Sequence, residues 1–312
     1  MLVVMIPAMQ IDNAPYLNSD STCLPQRLRL LSYNIQVGIV YSRYRHYLTR
    51  SWKHVLPFPG RQENLDSIAE FISKFDIVGL QEVDAGSLRS NYINQAKYLA
   101  QRGGFPHCYV QTNRNLGKIA QHGTGLLTKL RPDEIMEFRL PGKIPGRGAL
   151  IAIFGQGVHK LMIGILHLSL GRRSRSRQLA YLAELVSHYK HIVLMGDFNC
   201  RIDHREFQKL LGSTPLCSPE RELHTYPSWR PKRGLDHILV TPDLKVEQTF
   251  VYNASYSDHL PIAIDINLPN SITLGTRLQR MGLHSSERTD PSDDLLGLRS
   301  ERGCVAARVT SL

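Results

Sequence analysis

Six short motifs set metal-ligating or proton-transferring side chains beside apolar runs. They are SYN with Asn34, LQEVD with Glu82, HLSLG with His167, GDFN with Asp197 and Asn199, LDHI with Asp236, and SDHLP with Asp258 and His259. Four carboxylates and two amides make an oxygen-rich set. Hard oxygen donors suit Mg²⁺, with Mn²⁺ as the second candidate, rather than zinc. The two imidazoles add proton transfer and anion binding near neutral pH. Carboxylates, a divalent cation and imidazoles together suit attack of water on a phosphate ester. Any one of these residues alone reads as turn or surface chemistry. Six strand termini with the same character are what point to a site.

The elements that must position them are strands. LRLLSYNI (28–35), DIVGLQEV (76–83), GTGLLTK (123–129), GALIAIF (148–154), LMIGILHLS (161–169), IVLMGD (192–197), DHILV (236–240) and PIAIDI (261–266) read as strands. Several are apolar nearly throughout, as strands covered on both faces are. Leu65, Ile68, Ala69, Ile72 and Phe75 share one helical face; Leu179, Leu182, Ala183 and Val186 share another, with Ser174 or Ser176 as N-cap. Alternation along an extended strand predicts that Asp197 and Asn199 point the same way and Phe198 points back into the protein.

The 312 residues, 42% hydrophobic and 21% charged, fit a globular chain with a sizeable core. No apolar run reaches the ~20 residues that span a bilayer. MLVVMIPAMQ lacks a basic leader and reads as an ordinary start. Five scattered cysteines without a CxxC pair argue against a disulfide framework or a zinc site. A cytoplasmic protein is expected, with peripheral membrane association open, and a monomer. The expected organisation is a lead-in (1–26), a folded domain (27–268) and a disordered tail (269–312).

The net charge of +11 favours an anionic partner. Three basic-aromatic stretches flank the motifs: YSRYRHYLTRSWKH (41–54), GRRSRSRQ (171–178) and YPSWRPKRG (226–234). Arg172, Arg173, Trp229 and Arg230 are candidate substrate contacts, and Tyr44, Tyr47, Trp52 and Trp229 candidate stacking platforms. Such rims suit nucleic acid first and anionic lipid headgroups second. Repeated Arg at a helix start opposes the helix dipole, so GRRSRSRQ needs an anion nearby.

In order and spacing, SYN, LQEVD, HLSLG, GDFN, LDHI and SDHLP resemble the endonuclease/exonuclease/phosphatase superfamily over residues 27–267. That superfamily includes DNase I, exonuclease III-type apurinic endonucleases, inositol-polyphosphate 5-phosphatases and neutral sphingomyelinases. The resemblance implies a four-layer α/β sandwich, two face-to-face mixed β-sheets flanked by helices. It implies Glu82 as principal metal carboxylate, with Asn34 beside it and Asp258 contributing. His259 would contact the scissile phosphate, oriented by Asp236. Asp197 would position or deprotonate water, Asn199 would bond a phosphate oxygen, and His167 would stabilise transition-state charge. The implied activity is metal-dependent phosphodiester hydrolysis on nucleic acid. The alternatives are a phosphatase or phospholipase C-like enzyme on phospholipid or inositol-type phosphates, and a non-catalytic anion-binding module. Arg114, Asn115, Lys118 and His122 in QTNRNLGKIAQHGTGLLTK match no substrate-specific signature, so the resemblance speaks to chemistry more than to substrate.

Overall fold

Strands apolar on consecutive positions must be covered on both faces, and the computed structural model shows how. It describes residues 4–5, 27–40, 56–58, 60–142, 146–219 and 223–272. The 41–54 stretch with Tyr44, Tyr47 and Trp52, most of the expected lead-in, and the stretch beyond 272 lie outside the described residues. One sheet has the order β1 (Val4–Met5), β6 (Glu134–Arg139), β7 (Gly148–Phe154), β8 (Leu161–His167), β9 (His191–Asp197), β10 (Asp236–Val240). The other runs β11 (Lys245–Val251), β12 (Ile262–Asn267), β2 (Arg27–Asn34), β3 (Ile77–Asp84), β5 (Gln121–Thr128), β4 (His107–Asn115).

Leu28, Leu30, Ile163, Ile165, Val193, Met195 and Ile264 belong to the apolar layer between the sheets. The outer face of the first sheet packs on α3 (Arg172–Val186) and α4 (Arg205–Ser213) through Leu179, Leu182, Phe207 and Leu210. The outer face of the second packs on α1 (Gly60–Ile72) and α2 (Gln95–Gly103) through Leu65, Ile68, Ile72 and Leu99. The result is the expected four-layer sandwich. Each fully buried Leu or Ile adds ~1.5–3 kcal/mol to the cohesion of these layers. Gly79 lets the sheets approach closely: a Cβ there would lie 2.7 Å from Ile165 Cδ1.

Pairing directions decide what reaches the site. β2 and β3 run parallel, as do β8 and β9, and the hydrogen bond from Asn34 to Asp197 puts both pairs' ends on one side. β10 runs antiparallel to β9, with Asp236 opposite Asp197. β12 runs antiparallel to β2, so its start lies on that same side.

Several expectations need correction. β4, β6, β11, α2 and α4 were not read from the sequence; β11 is mostly exposed and carries no long apolar run. The cap of α3 is Gly171, without a side-chain hydrogen bond. Ser174 and Ser176 lie inside the helix. The anion that its arginines require is Glu206 of α4, 2.7 Å from buried Arg175 and 3.6 Å from Arg172. The packed body also continues past residue 268, since Ile272 is buried in the core. At the other end, Val4–Met5 pairs with β6.

Candidate active site

Glu82 does not end its strand. β3 continues to Asp84, and the pairing with β5 shifts register between Leu80 and Val83. At this bulge Glu82 adopts a left-handed φ of 55°. Bulges re-aim side chains next to active sites, and this one turns the Glu82 carboxylate toward the end of β2. There Asn34 donates its amide to Glu82 Oε1 at 3.3 Å and to Asp197 Oδ2 at 3.2 Å. One amide thus joins the two sheets. Its own oxygen accepts from the Gln36 backbone at 3.1 Å. Asn34 acts here as a donor to carboxylates, where the sequence had suggested a metal-facing oxygen.

Asp197 is fixed by the chain that follows it. Its Oδ1 accepts from the Asn199 backbone N–H at 2.8 Å. Asn199 has a φ of 52°, and its amide donates to Leu168 O at 2.9 Å and Asp197 Oδ2 at 3.3 Å. The two side chains do converge. They do so through a turn rather than the strand alternation expected. Phe198 is fully buried against Phe207 and His237, as expected. Gly196 has no room for a side chain: a Cβ would sit 2.0 Å from Leu166 O, at a φ of 152°.

His167 Nε2 lies 3.5 Å from Asp197 Oδ2 and 3.8 Å from Glu82 Oε1. Its Nδ1 faces Arg147 Nη1 at 3.0 Å. An arginine only donates, so Nδ1 accepts and Nε2 carries the proton. Burial, then the Arg147 charge, holds His167 well below the usual imidazole pKa. It is a neutral donor aimed into the site and not a proton-transferring group at neutral pH.

His259 is the opposite case. Its Nδ1 lies 2.8 Å from Asp236 Oδ2. Burial alone would lower its pKa, but Asp236, Asp197 and Asp258 more than reverse that and hold it well above the ordinary value. Thr225 donates to the same Asp236 oxygen at 2.5 Å, while Asp236 Oδ1 is buried without a hydrogen bond. The Tyr226 ring packs 4.9 Å from the His259 ring. Asp258 accepts from Gln36 Nε2 at 2.9 Å and from Ser257 Oγ at 3.2 Å.

The electrostatics favour a cation. Burial and then Asp258 raise the Glu82 pKa. Burial pushes Asp197 up to about 7, with Asp236 and Glu82 adding to it and His259 opposing it. Among the described residues, one group of three offers ligand atoms all within 4.8 Å of one another: Asp197, Asp236 and His259. Asp236 and His259 already satisfy each other there. Glu82, one-third exposed and with only long contacts, is the carboxylate left open. This oxygen-rich donor set fits a hard divalent ion.

Of the expected rim contacts, Arg172 turns to Glu206, Arg173 is exposed, Trp229 is half-buried and Arg230 is exposed. Segment 226–230 abuts the site because Ser228 N–H donates to Asp258 O at 2.7 Å. Sequence reasoning missed Arg147, Thr225, Tyr226 and Gln36. Arg147 carried a readable signal: it directly precedes the apolar run of β7, which starts where its antiparallel neighbour β8 ends.

The family model described as Endonuclease/Exonuclease/phosphatase family matches residues 31–259. Solved structures agree in fold. An endonuclease/exonuclease/phosphatase from Beutenbergia cavernae is 20% identical with a TM-score of 0.60, over 78% of this chain and 72% of that one. A mannosyl-6-phosphatase from Bacteroides thetaiotaomicron is 17% identical, TM-score 0.57, over 77% and 99%. The human nocturnin catalytic domain, solved with a bound sulfate anion, is 18% identical, TM-score 0.57, over 80% and 100%. Comparison with curated proteins gives no match.

Proposed function

Because this chain belongs to the endonuclease/exonuclease/phosphatase family, whose members hydrolyse phosphate esters, we propose that it is a divalent-cation-dependent phosphodiesterase. The observation that carries the reading is the meeting of two unlike imidazoles across a carboxylate cluster. His167 is a neutral N–H donor, and His259 is held charged by Asp236. A phosphate between them meets one hydrogen-bond donor and one cation, both fixed before substrate arrives, which is how preorganised groups lower a barrier.

Glu82 would hold the ion, Mg²⁺ or Mn²⁺, with Asp258 beside it and Asn34 steadying the Glu82 carboxylate. The ion would supply charge neutralisation on the phosphoryl oxygens. Asp197 orients the attacking water and accepts its proton, a role suited to a carboxylate raised toward neutrality by burial. Asn199 donates its amide to Leu168 O and Asp197 Oδ2, and so steadies the Asp197 carboxylate. Asn34 keeps Glu82 and Asp197 at fixed separation across the sheets. Arg147 sets the tautomer of His167.

Nucleic acid and phospholipid both remain substrates of this reading. The basic rim supports the first. The second is favoured by exposed apolar side chains on the segments beside it. The test is hydrolysis of bis(4-nitrophenyl) phosphate and of plasmid DNA with and without EDTA. Wild type should lose activity on chelation and regain it with Mg²⁺ or Mn²⁺, and Asp197→Asn should stay inactive while folded. A protein inactive with every divalent ion, or equally active with Asp197→Asn, refutes it.

A further inference from the structure

Five of the nine exposed large apolar side chains among the described residues lie on segments that adjoin the site-side ends of β3, β5 and β8, the mouth of the site. Leu88 and Tyr92 follow β3, just past the bulge that delivers Glu82. Leu116 and Ile119 form the tip between β4 and β5. Leu170 follows His167 by three residues, on the other sheet's side. Tyr92 is 61% exposed, Ile119 51% and Leu170 76%. Single exposed apolar residues are ordinary, but a contiguous group marks a contact surface.

The segments that carry the first four are joined through their backbones. Leu88 N–H donates to Lys118 O at 2.8 Å, and Leu116 N–H to Ala120 O at 2.9 Å. The two segments therefore form one ledge. Buried Asp84 holds it from beneath, accepting from Ser87 N at 2.6 Å, Ser90 Oγ at 2.8 Å and Arg89 Nε at 2.5 Å. The ledge is built rigid with its apolar side chains outward.

Its charge has one sign. Residues 85–94, 111–121 and 168–177 contain no Asp or Glu. Exposed Arg114, Lys118 and Arg173 lie on these segments, and none of them forms an ion pair among the described residues. Apolar tips interleaved with cations match the chemistry of an anionic bilayer surface, where side chains enter the interface and Lys or Arg meets headgroup phosphate. A nucleic acid would use the cations but leave the aliphatic tips in water.

We propose that this ledge, with Leu170 opposite, seats the mouth on an anionic lipid bilayer, from which the site draws its phosphate ester. This rests on the hydrolase reading for the substrate, but not for the docking. The test uses the full chain with sedimenting vesicles of phosphatidylcholine alone or mixed with phosphatidylglycerol. Wild type should pellet with the mixed vesicles and stay in solution with phosphatidylcholine. The Leu116→Asp/Ile119→Asp double variant should lose binding tenfold or more, while its melting temperature and its hydrolysis of bis(4-nitrophenyl) phosphate stay at wild-type levels. Lys118→Gln should weaken binding less and reduce its salt dependence. Wild type that stays in solution with mixed vesicles, or a double variant that binds as wild type does, overturns the proposal. So does duplex DNA bound at the same salt concentration without competition from vesicles. Vesicle binding without any diester hydrolysis would refute the hydrolase reading and leave the docking standing.

Discussion

Arg27 and Arg29, at the start of β2, lie against Glu247 and Asp265. At the other end of the sandwich Arg147 bonds an imidazole and feels the Glu82 and Asp197 carboxylates without pairing to either, and Arg114 forms no ion pair among the described residues. The two ends of the same sheets thus treat charge differently. At the far end opposite charges are paired across neighbouring strands, which is local structure. At the mouth, burial and then Asp258 raise the Glu82 carboxyl, and burial lowers the Arg147 guanidinium. Charge buried at that cost is expected where a ligand completes the balance.

Replacing one aspartate at each end separates the two kinds of charge. Asp236→Asn, which releases His259, should lower kcat by about 10²- to 10⁴-fold, the range for loss of a positioned acid or base. Asp265→Asn should leave kcat unchanged in the same assay. A similar loss from both would mean that charge at the far end serves the site too. Next in size is stability. Arg89→Met leaves Asp84 buried without its ion pair, and should cost about 3–5 kcal/mol in urea unfolding. Arg27→Met, at the solvent-exposed end, should leave the midpoint where it was. The smallest effect is with pH. Burial pushes Asp84 up, but bonds from Arg89 and Ser87 overcome it and hold its pKa at about 2, below the ordinary 3.8. A depressed carboxyl stabilises fully above its unfolded pKa and loses that contribution as pH falls through the folded one. A decline on the order of 2 kcal/mol should therefore appear between about pH 4 and 2, measured by thermal unfolding, and be missing in Asp84→Asn.

The parts legible in sequence were those set by composition over several residues. Runs such as LMIGILH and IVLMGD announced strands covered on both faces, and the polar residues at their ends announced a site. What stayed hidden depended on single backbone angles and on partners distant in sequence. Nothing in LQEVD reveals that Glu82 leaves the pleat at a bulge. The side-by-side placement of Asp197 and Asn199 was read correctly from the wrong cause, since the turn at Asn199 and not the strand period brings them together. Arg147 lay in view beside an apolar run, but its meaning needs β7 and β8 to be antiparallel neighbours. Short, half-exposed elements such as β11 and α4 lack the apolar mass that makes a pattern visible.

The left-handed Glu82 has a consequence for what random substitution would select. A side chain at positive φ costs about 1 kcal/mol that glycine would not. Glycine at position 82 would therefore relax the backbone while deleting the carboxylate. A screen for thermal tolerance alone would drift toward that change and toward an inert protein. A screen for turnover would hold the strained residue in place. At this position, resilience and activity pull the sequence in opposite directions.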